Sequence, residues 1–232
     1  MRNPFVKNGS IELLVFDLDG TLVDSRKDIA VSVNHALGAL HLTPITAEEI
    51  VAFVGRGVSN LIRSVLEERG PKDMNPLEGK KLFKRAIALF REHYSEHLLD
   101  NTVLYPGVEE ALKVLDRVSK AVITNKPTDY SVKILEGLGI RQHFRAILGG
   151  DFGGTKKPAP DALHQLMQQF SVDPERTMIV GDSIMDIEAG KNAGARTCAV
   201  LYGFGKKEDL IPLNPDYILN KIIDLKSIMG VE

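Results

Sequence analysis

The sequence predicts an α/β fold: a doubly wound parallel sheet, interrupted after its first strand by an all-helical insertion. Three observations predict it. Leu13 to Phe16 is an unbroken apolar run that ends in Asp17-Leu18-Asp19-Gly20, as expected of a strand buried on both faces of a parallel sheet. From Tyr105-Pro106-Gly107 onward, short apolar runs alternate with helical stretches, the pattern of right-handed crossovers with helices on both faces. Between the two, residues 25–99 carry helical periodicity and no convincing strand. The expected organisation is a core of residues 1–24 and 100–232 and an inserted helical cap of residues 25–99.

Each element has a local reason. Residues 1–10 form a loose lead-in. Ser25 with Asp28 three residues on resembles a capping box, opening a helix to about Leu42. Thr46 and Glu49 repeat that pattern before Ile50, Phe53 and Val54. Gly55-Arg56-Gly57 breaks this helix, and Val58, Leu61, Ile62, Val65 and Leu66 form one face of the next, which Gly70-Pro71 ends. Asn75-Pro76 starts a third, with proline at the first helical position, running towards Leu99. Beyond Gly107 the expected order is helix 108–118, strand 121–124, helix 127–138, strand 144–148 and helix 158–170. Strand 177–180, helix 183–192, strand 197–201 and a last strand 217–219 complete it.

Composition narrows the classes of function. With 44% hydrophobic and 26% charged residues the chain is ordinary globular material. A formal net charge of −2 gives no electrostatic reason to expect nucleic acid or an anionic membrane as partner. No apolar run approaches the ~20 residues of a membrane span, and the first ten residues carry no apolar signal segment. The single cysteine, Cys198, lies in an apolar stretch and is expected in the core. A soluble cytoplasmic protein fits these features; nothing in them chooses between a monomer and a homodimer.

Ligands of open parallel sheets bind beyond the carboxyl ends of the strands. Those ends carry Asp17 and Asp19, then Thr124 and Asn125, then Lys156-Lys157-Pro158, then Asp182, Ser183 and Asp186. Two acids with one residue between them repel, and each is costly to bury. A hard divalent cation such as Mg²⁺ answers that cost, because it takes oxygen ligands; Asp17, Asp19, Asp182 and Asp186 are the candidate ligands. Donors and a lysine suit an anion's oxygens. Together the set is what phosphoryl transfer requires.

Asp17-Leu-Asp19-Gly-Thr-Leu22, Thr124-Asn125, Lys157-Pro158 and Gly181-Asp182-Ser-Ile-Met-Asp186 resemble, in order, the four motifs of the haloacid dehalogenase-like superfamily. The resemblance covers nearly the whole chain and implies a Rossmann-like core with a helical cap. It implies that Asp17 is a nucleophile forming an aspartyl-phosphate, and that Asp19 protonates the leaving oxygen and then activates water. Thr124 and Asn125 would contact the phosphoryl group, Lys157 would neutralise it and Asp17, and Asp182 with Asp186 would hold Mg²⁺. Asp19 argues for a phosphatase over a dehalogenase, since a halide leaves without a proton. Phe53-Val-Gly-Arg-Gly57, Tyr105-Pro-Gly107 and Gly149-Gly-Asp151 resemble phosphoglycolate phosphatases, with Arg56 a candidate partner for a substrate carboxylate. A β-phosphoglucomutase-like mutase, a pyrophosphatase or sugar phosphatase, and a non-catalytic phosphometabolite sensor are the alternatives.

Simpler readings stand beside these. Asp186 follows Ser183 by three residues and suits a helix cap. Lys156 suits a solvated side chain. His93 and His97 have metal-ligand spacing, but without a glutamate directly after the first they suit a polar helix face. Gly149 to Gly154 lacks the Lys-Ser/Thr of a phosphate-binding loop and suits a strand-end turn. Met167, Met178 and Met185 suit core or gap-filling positions.

Overall fold

A computed structural model describes residues 10–231. The lead-in expected for residues 1–10 lies outside the described residues except for Ser10. The elements run β1 Leu13–Phe16, β2 Val23–Asp24, α1 Arg26–Ala39, α2 Ala47–Val51, α3 Val58–Arg69, α4 Pro76–Glu96 and β3 Val103–Leu104. They continue with α5 Val108–Val114, β4 Ser119–Ile123, α6 Thr128–Gly137, β5 Ala146–Leu148, α7 Asp161–Phe170 and β6 Thr177–Gly181. α8 Ile184–Asn192, β7 Arg196–Val200, α9 Lys207–Leu210, β8 Tyr217–Leu219 and α10 Leu225–Ile228 complete the order.

Six strands form one sheet in the order β5-β4-β1-β6-β7-β8, and every pairing is parallel. The α/β class is as expected. Alternate residues of β1 serve opposite layers, as the two-residue period of a strand requires. Leu14 and Phe16 pack with Leu112, Ile134 and Val180, while Leu13 and Val15 pack with Leu163, Leu166 and Ile179. The first of these cores continues into the helical insertion through Ile29, Val33, Leu61 and Phe90. Burying each such side chain is worth about 1.5–3 kcal/mol against leaving it in water.

The insertion's ends are joined. β2 and β3 pair antiparallel, Val23 opposite Leu104 and Asp24 opposite Val103. This ribbon is too short to announce itself by periodicity. Thr46 with Glu49, and Asn75 with Glu78, form the capping boxes that start α2 and α4. The capping box expected of Ser25 and Asp28 does not form, because both side chains have other partners. Ser25 donates to Asp19, while the buried Asp28 accepts from the backbone and side chains of Asn101 and Thr102. Asp28 thereby fastens the start of α1 to the segment where the chain returns towards the sheet.

Some limits shift for visible reasons. α5 ends at Val114, not near residue 118, and Lys120 folds back to donate to the carbonyls of Leu115 and Val118. α7 begins at Asp161, after a cis Lys157–Pro158 peptide. Asp151 caps α6, accepting from the amide and hydroxyl of Thr128 at 2.9 and 2.6 Å, so the Gly149–Gly154 turn has a structural duty. Met167 and Met178 are buried as expected, but Met185 lines a cavity and is only partly covered. Cys198 is a buried free thiol.

Candidate active site

The strand order reverses between β1 and β6, where such sheets open their ligand crevice. Asp17 follows β1 and Asp182 follows β6. Two glycines let these loops meet. Gly20 has φ +89°, and a Cβ there would collide with the Asp182 carboxylate. A Cβ on Gly181 would collide with Asp186. Both collisions would drive the acids apart.

Carboxylate oxygens of Asp17, Asp182 and Asp186 lie within 4.8 Å of one another, all three residues buried. Asp182 is fixed from several sides: Thr21 Oγ1 donates to Oδ1 at 2.8 Å, and the amides of Phe204 and Gly205 donate to Oδ2 at 2.7 and 3.2 Å. Asp186 divides its oxygens. Oδ2 caps α8, accepting from the amide and hydroxyl of Ser183, while Oδ1 meets Lys157 Nζ at 2.5 Å. The capping reading of Asp186 is met by one oxygen, and the other faces Lys157 among the converging acids.

Lys157 Nζ also stands 2.7 Å from Asp17 Oδ1. That contact pairs charges without the alignment of a hydrogen bond, and among the described residues Asp17 Oδ1 has no hydrogen-bond partner. Burial pushes the Asp17 acid up to about 8; Lys157 opposes the shift, and Asp186 and Asp182 add to it. Burial, then Asp186, pushes Asp182 up to about 6 against the donors that hold it. Burial disfavours the charge on Lys157, but Asp17 and Asp186 outweigh it and hold its pKa above the ordinary lysine value. Three converging buried carboxylates with a single lysine among them fit a hard divalent cation.

Asp19 does not join this group. Its carboxylate takes both contacts of Lys126 Nζ, at 2.9 and 3.0 Å, and the Ser25 hydroxyl at 2.5 Å. Lys126 is buried, and its ammonium lies 4.8 Å from the ring centroid of Tyr94 on α4. Asp19 and Tyr94 together outweigh the burial that disfavours its charge, raising its pKa. Sequence reasoning gives Lys126 no role and Ser25 only that of a helix cap. The lysine's position directly after Thr124-Asn125, beyond a strand end, was the available signal.

Thr124 is buried beside Asp17, and its hydroxyl accepts from the Lys126 amide at 3.2 Å. Asn125 was expected to face the phosphoryl group. Its side chain instead accepts from the Lys157 amide at 2.9 Å and donates to the carbonyls of Lys157 and Gly55 at 3.1 and 2.7 Å. Arg56 is exposed and lines a cavity of about 250 Å³ shared with Asp17, Asp19 and Asp182. Lys156 is exposed, close to Gly57. His93 and His97 stack with centroids 4.2 Å apart and bond Ser32 and Asp100, so they hold the polar face of α4.

A parallel sheet with a buried carboxylate and lysine centre at its switch point, covered by helices inserted after the first strand, defines a class of hydrolase cores. The model of the haloacid dehalogenase-like hydrolases matches residues 14–200, and the chain belongs to that family. It is 37% identical to the phosphoglycolate phosphatase of Chromobacterium violaceum over 222 residues, covering 94% of this chain and 96% of that one. The phosphoglycolate phosphatase of Aquifex aeolicus is 35% identical over 221 residues, covering 94% and 97%. Among solved structures, one described as a predicted phosphoglycolate phosphatase from Haemophilus somnus superposes with a TM-score of 0.88 at 32% identity, covering 94% and 97%. No helix among the described residues is long and apolar enough to cross a membrane.

Proposed function

We propose that the protein is a Mg²⁺-dependent phosphomonoesterase that hydrolyses 2-phosphoglycolate through an aspartyl-phosphate on Asp17. In this reading residues 1–24 and 100–232 are the catalytic core and residues 25–99 the cap. Support for the chemistry comes from two neighbouring acids with different partners: Asp17 beside Lys157, Asp182 and Asp186, and Asp19 beside Lys126 and Ser25. Support for the substrate comes from the names of relatives that match nearly end to end.

An Asp17 oxygen attacks phosphorus, and the bond from phosphorus to the glycolate oxygen breaks. Asp19 gives that oxygen its proton. Asp19 then takes a proton from water, whose oxygen attacks phosphorus and returns Asp17 as a carboxylate, releasing phosphate. The covalent intermediate splits one hard displacement into two easier ones. Lys157 and Thr124 act as preset partners for the transferring oxygens. Asp17, Asp182 and Asp186 are the residues that would hold Mg²⁺, which supplies positive charge to the phosphoryl oxygens and to the crowded acids.

Purified protein with Mg²⁺ and 2-phosphoglycolate should release inorganic phosphate, and chelator should stop it. Conversion of β-glucose 1-phosphate to glucose 6-phosphate without free phosphate would favour the mutase instead. Absence of turnover on any phosphomonoester would favour a sensor.

A further inference from the structure

The reading above leaves open which groups receive the part of the substrate that does not react. A second, smaller cavity lies between cap and core, about 40 Å³ in volume. Asp17 and Asp19 stand at its reacting end, and Phe53, Val58, Leu61 and Phe90 supply apolar wall. Only a few polar groups face it besides these acids, among them Lys126 and Tyr94. Lys126 Nζ is engaged by Asp19 on one side and the Tyr94 ring on another. An ammonium has three donors, and the two Asp19 oxygens and Tyr94 engage them, so a ligand acceptor here would share the ammonium with Asp19. The Tyr94 hydroxyl is buried beside the Lys126 ammonium, which can only donate to it, and among the described residues no acceptor takes the phenol's own proton. A buried phenol without an acceptor costs stability unless something else satisfies it.

We propose that Lys126 and Tyr94 form the subsite for a substrate carboxylate, and that the small cavity favours a short acid arm. This rests on the phosphatase reading and names the class of substrate: a small phosphomonoester whose ester oxygen is separated from a carboxylate by a single carbon. One carboxylate oxygen takes the Lys126 ammonium and the phenol donates to the same group, giving charge-assisted bonds in an apolar, water-poor chamber. The small volume, about 40 Å³, and the wall of Phe53, Val58, Leu61 and Phe90 suit a short arm. Arg56 is exposed and lines the wider cavity, not this one. Because Tyr94 belongs to α4 and Lys126 to the core, the subsite is complete only when the cap is closed.

The test compares 2-phosphoglycolate with ethyl phosphate, which has the same reach and no acid. Y94F removes one oxygen from a side chain whose ring contacts remain. Its kcat/KM for 2-phosphoglycolate should fall about tenfold more than that for ethyl phosphate, through KM. K126M also disturbs Asp19 and should slow both substrates, but the ratio of the two kcat/KM values should fall about a hundredfold. A ratio unchanged in both variants overturns the inference, since a lysine that only positions Asp19 slows both substrates equally. A ratio that falls in R56A but holds in Y94F overturns it as well. Wild-type protein with no preference for 2-phosphoglycolate over ethyl phosphate overturns the substrate reading and this subsite together. A wild-type preference that survives both substitutions overturns the subsite alone.

Discussion

Asn125 Nδ2 donates to the carbonyl of Gly55 across 2.7 Å, tying the loop after β4 to the glycine turn of the helical insertion. The same side chain brackets Lys157, accepting from its amide and donating to its carbonyl. One amide group thus connects closure of the insertion with the placement of the lysine beside Asp17. Asn125→Ala should lower kcat by about ten- to a hundredfold, because the Lys157 backbone loses both anchors. It should also cost about 1–3 kcal/mol of stability from stranded buried partners. Steady-state kinetics and thermal melting check both; wild-type kcat in the variant would refute the link.

Asp17→Asn keeps the shape of the side chain and removes the nucleophile. Turnover of 2-phosphoglycolate should drop about a thousandfold or more, with the folded structure kept. Near-normal turnover in a phosphate-release assay would sink the aspartyl-phosphate mechanism.

Without a cation, the folded protein holds the Asp17 proton up to about pH 8, whereas 3.8 is the ordinary value. Between those values the folded state carries the extra proton, so its stability falls as pH rises. The contribution is fully present below about pH 4 and is lost through the raised value. In chelator, the melting temperature should decline from pH 5 to pH 8, and the decline should be shallower in Asp17→Asn. Excess Mg²⁺ should raise the wild-type melting temperature most at the alkaline end, where the acids are ionised. Equal slopes in wild type and variant would refute the assignment of the shift to Asp17.

Asp28 accepts from four donors of Asn101 and Thr102 at 2.7–2.9 Å. Asp28→Ala leaves these donors without their acceptor and should destabilise the fold by about 3 kcal/mol. For a chain of this length that is about 6–12 °C in melting temperature. Calorimetry showing a loss below about 1 kcal/mol would mean that water replaces the carboxylate at little cost.

What could be read from the chain was whatever sits within a few residues of a strand or helix end. The apolar run of β1 placed Asp17, and Gly181-Asp182 followed from β6, because burial on both faces leaves a signal in consecutive residues. The capping boxes of α2 and α4 were legible for the same reason. Ser25 and Asp28 were misread as a local cap, since their partners, Asp19 and the 101–102 segment, are decided by tertiary packing. Lys126 has no local pattern to mark it; the approach of α4 and Asp19 gives it a buried setting. Asn125 carried the right motif but serves backbone groups that no spacing rule could identify.

The pairing of Val23 with Leu104 has a consequence for how this architecture can change. Chain departure and return sit one strand spacing apart, about 5 Å, so the whole insertion is attached through a single narrow stem. A transplanted segment must present two ends at that separation and an apolar face to cover the core that Ile29, Val33, Leu61 and Phe90 now share with the sheet. The stem is therefore a natural graft junction: selectivity can be exchanged wholesale there, while the strand-end acids keep their register.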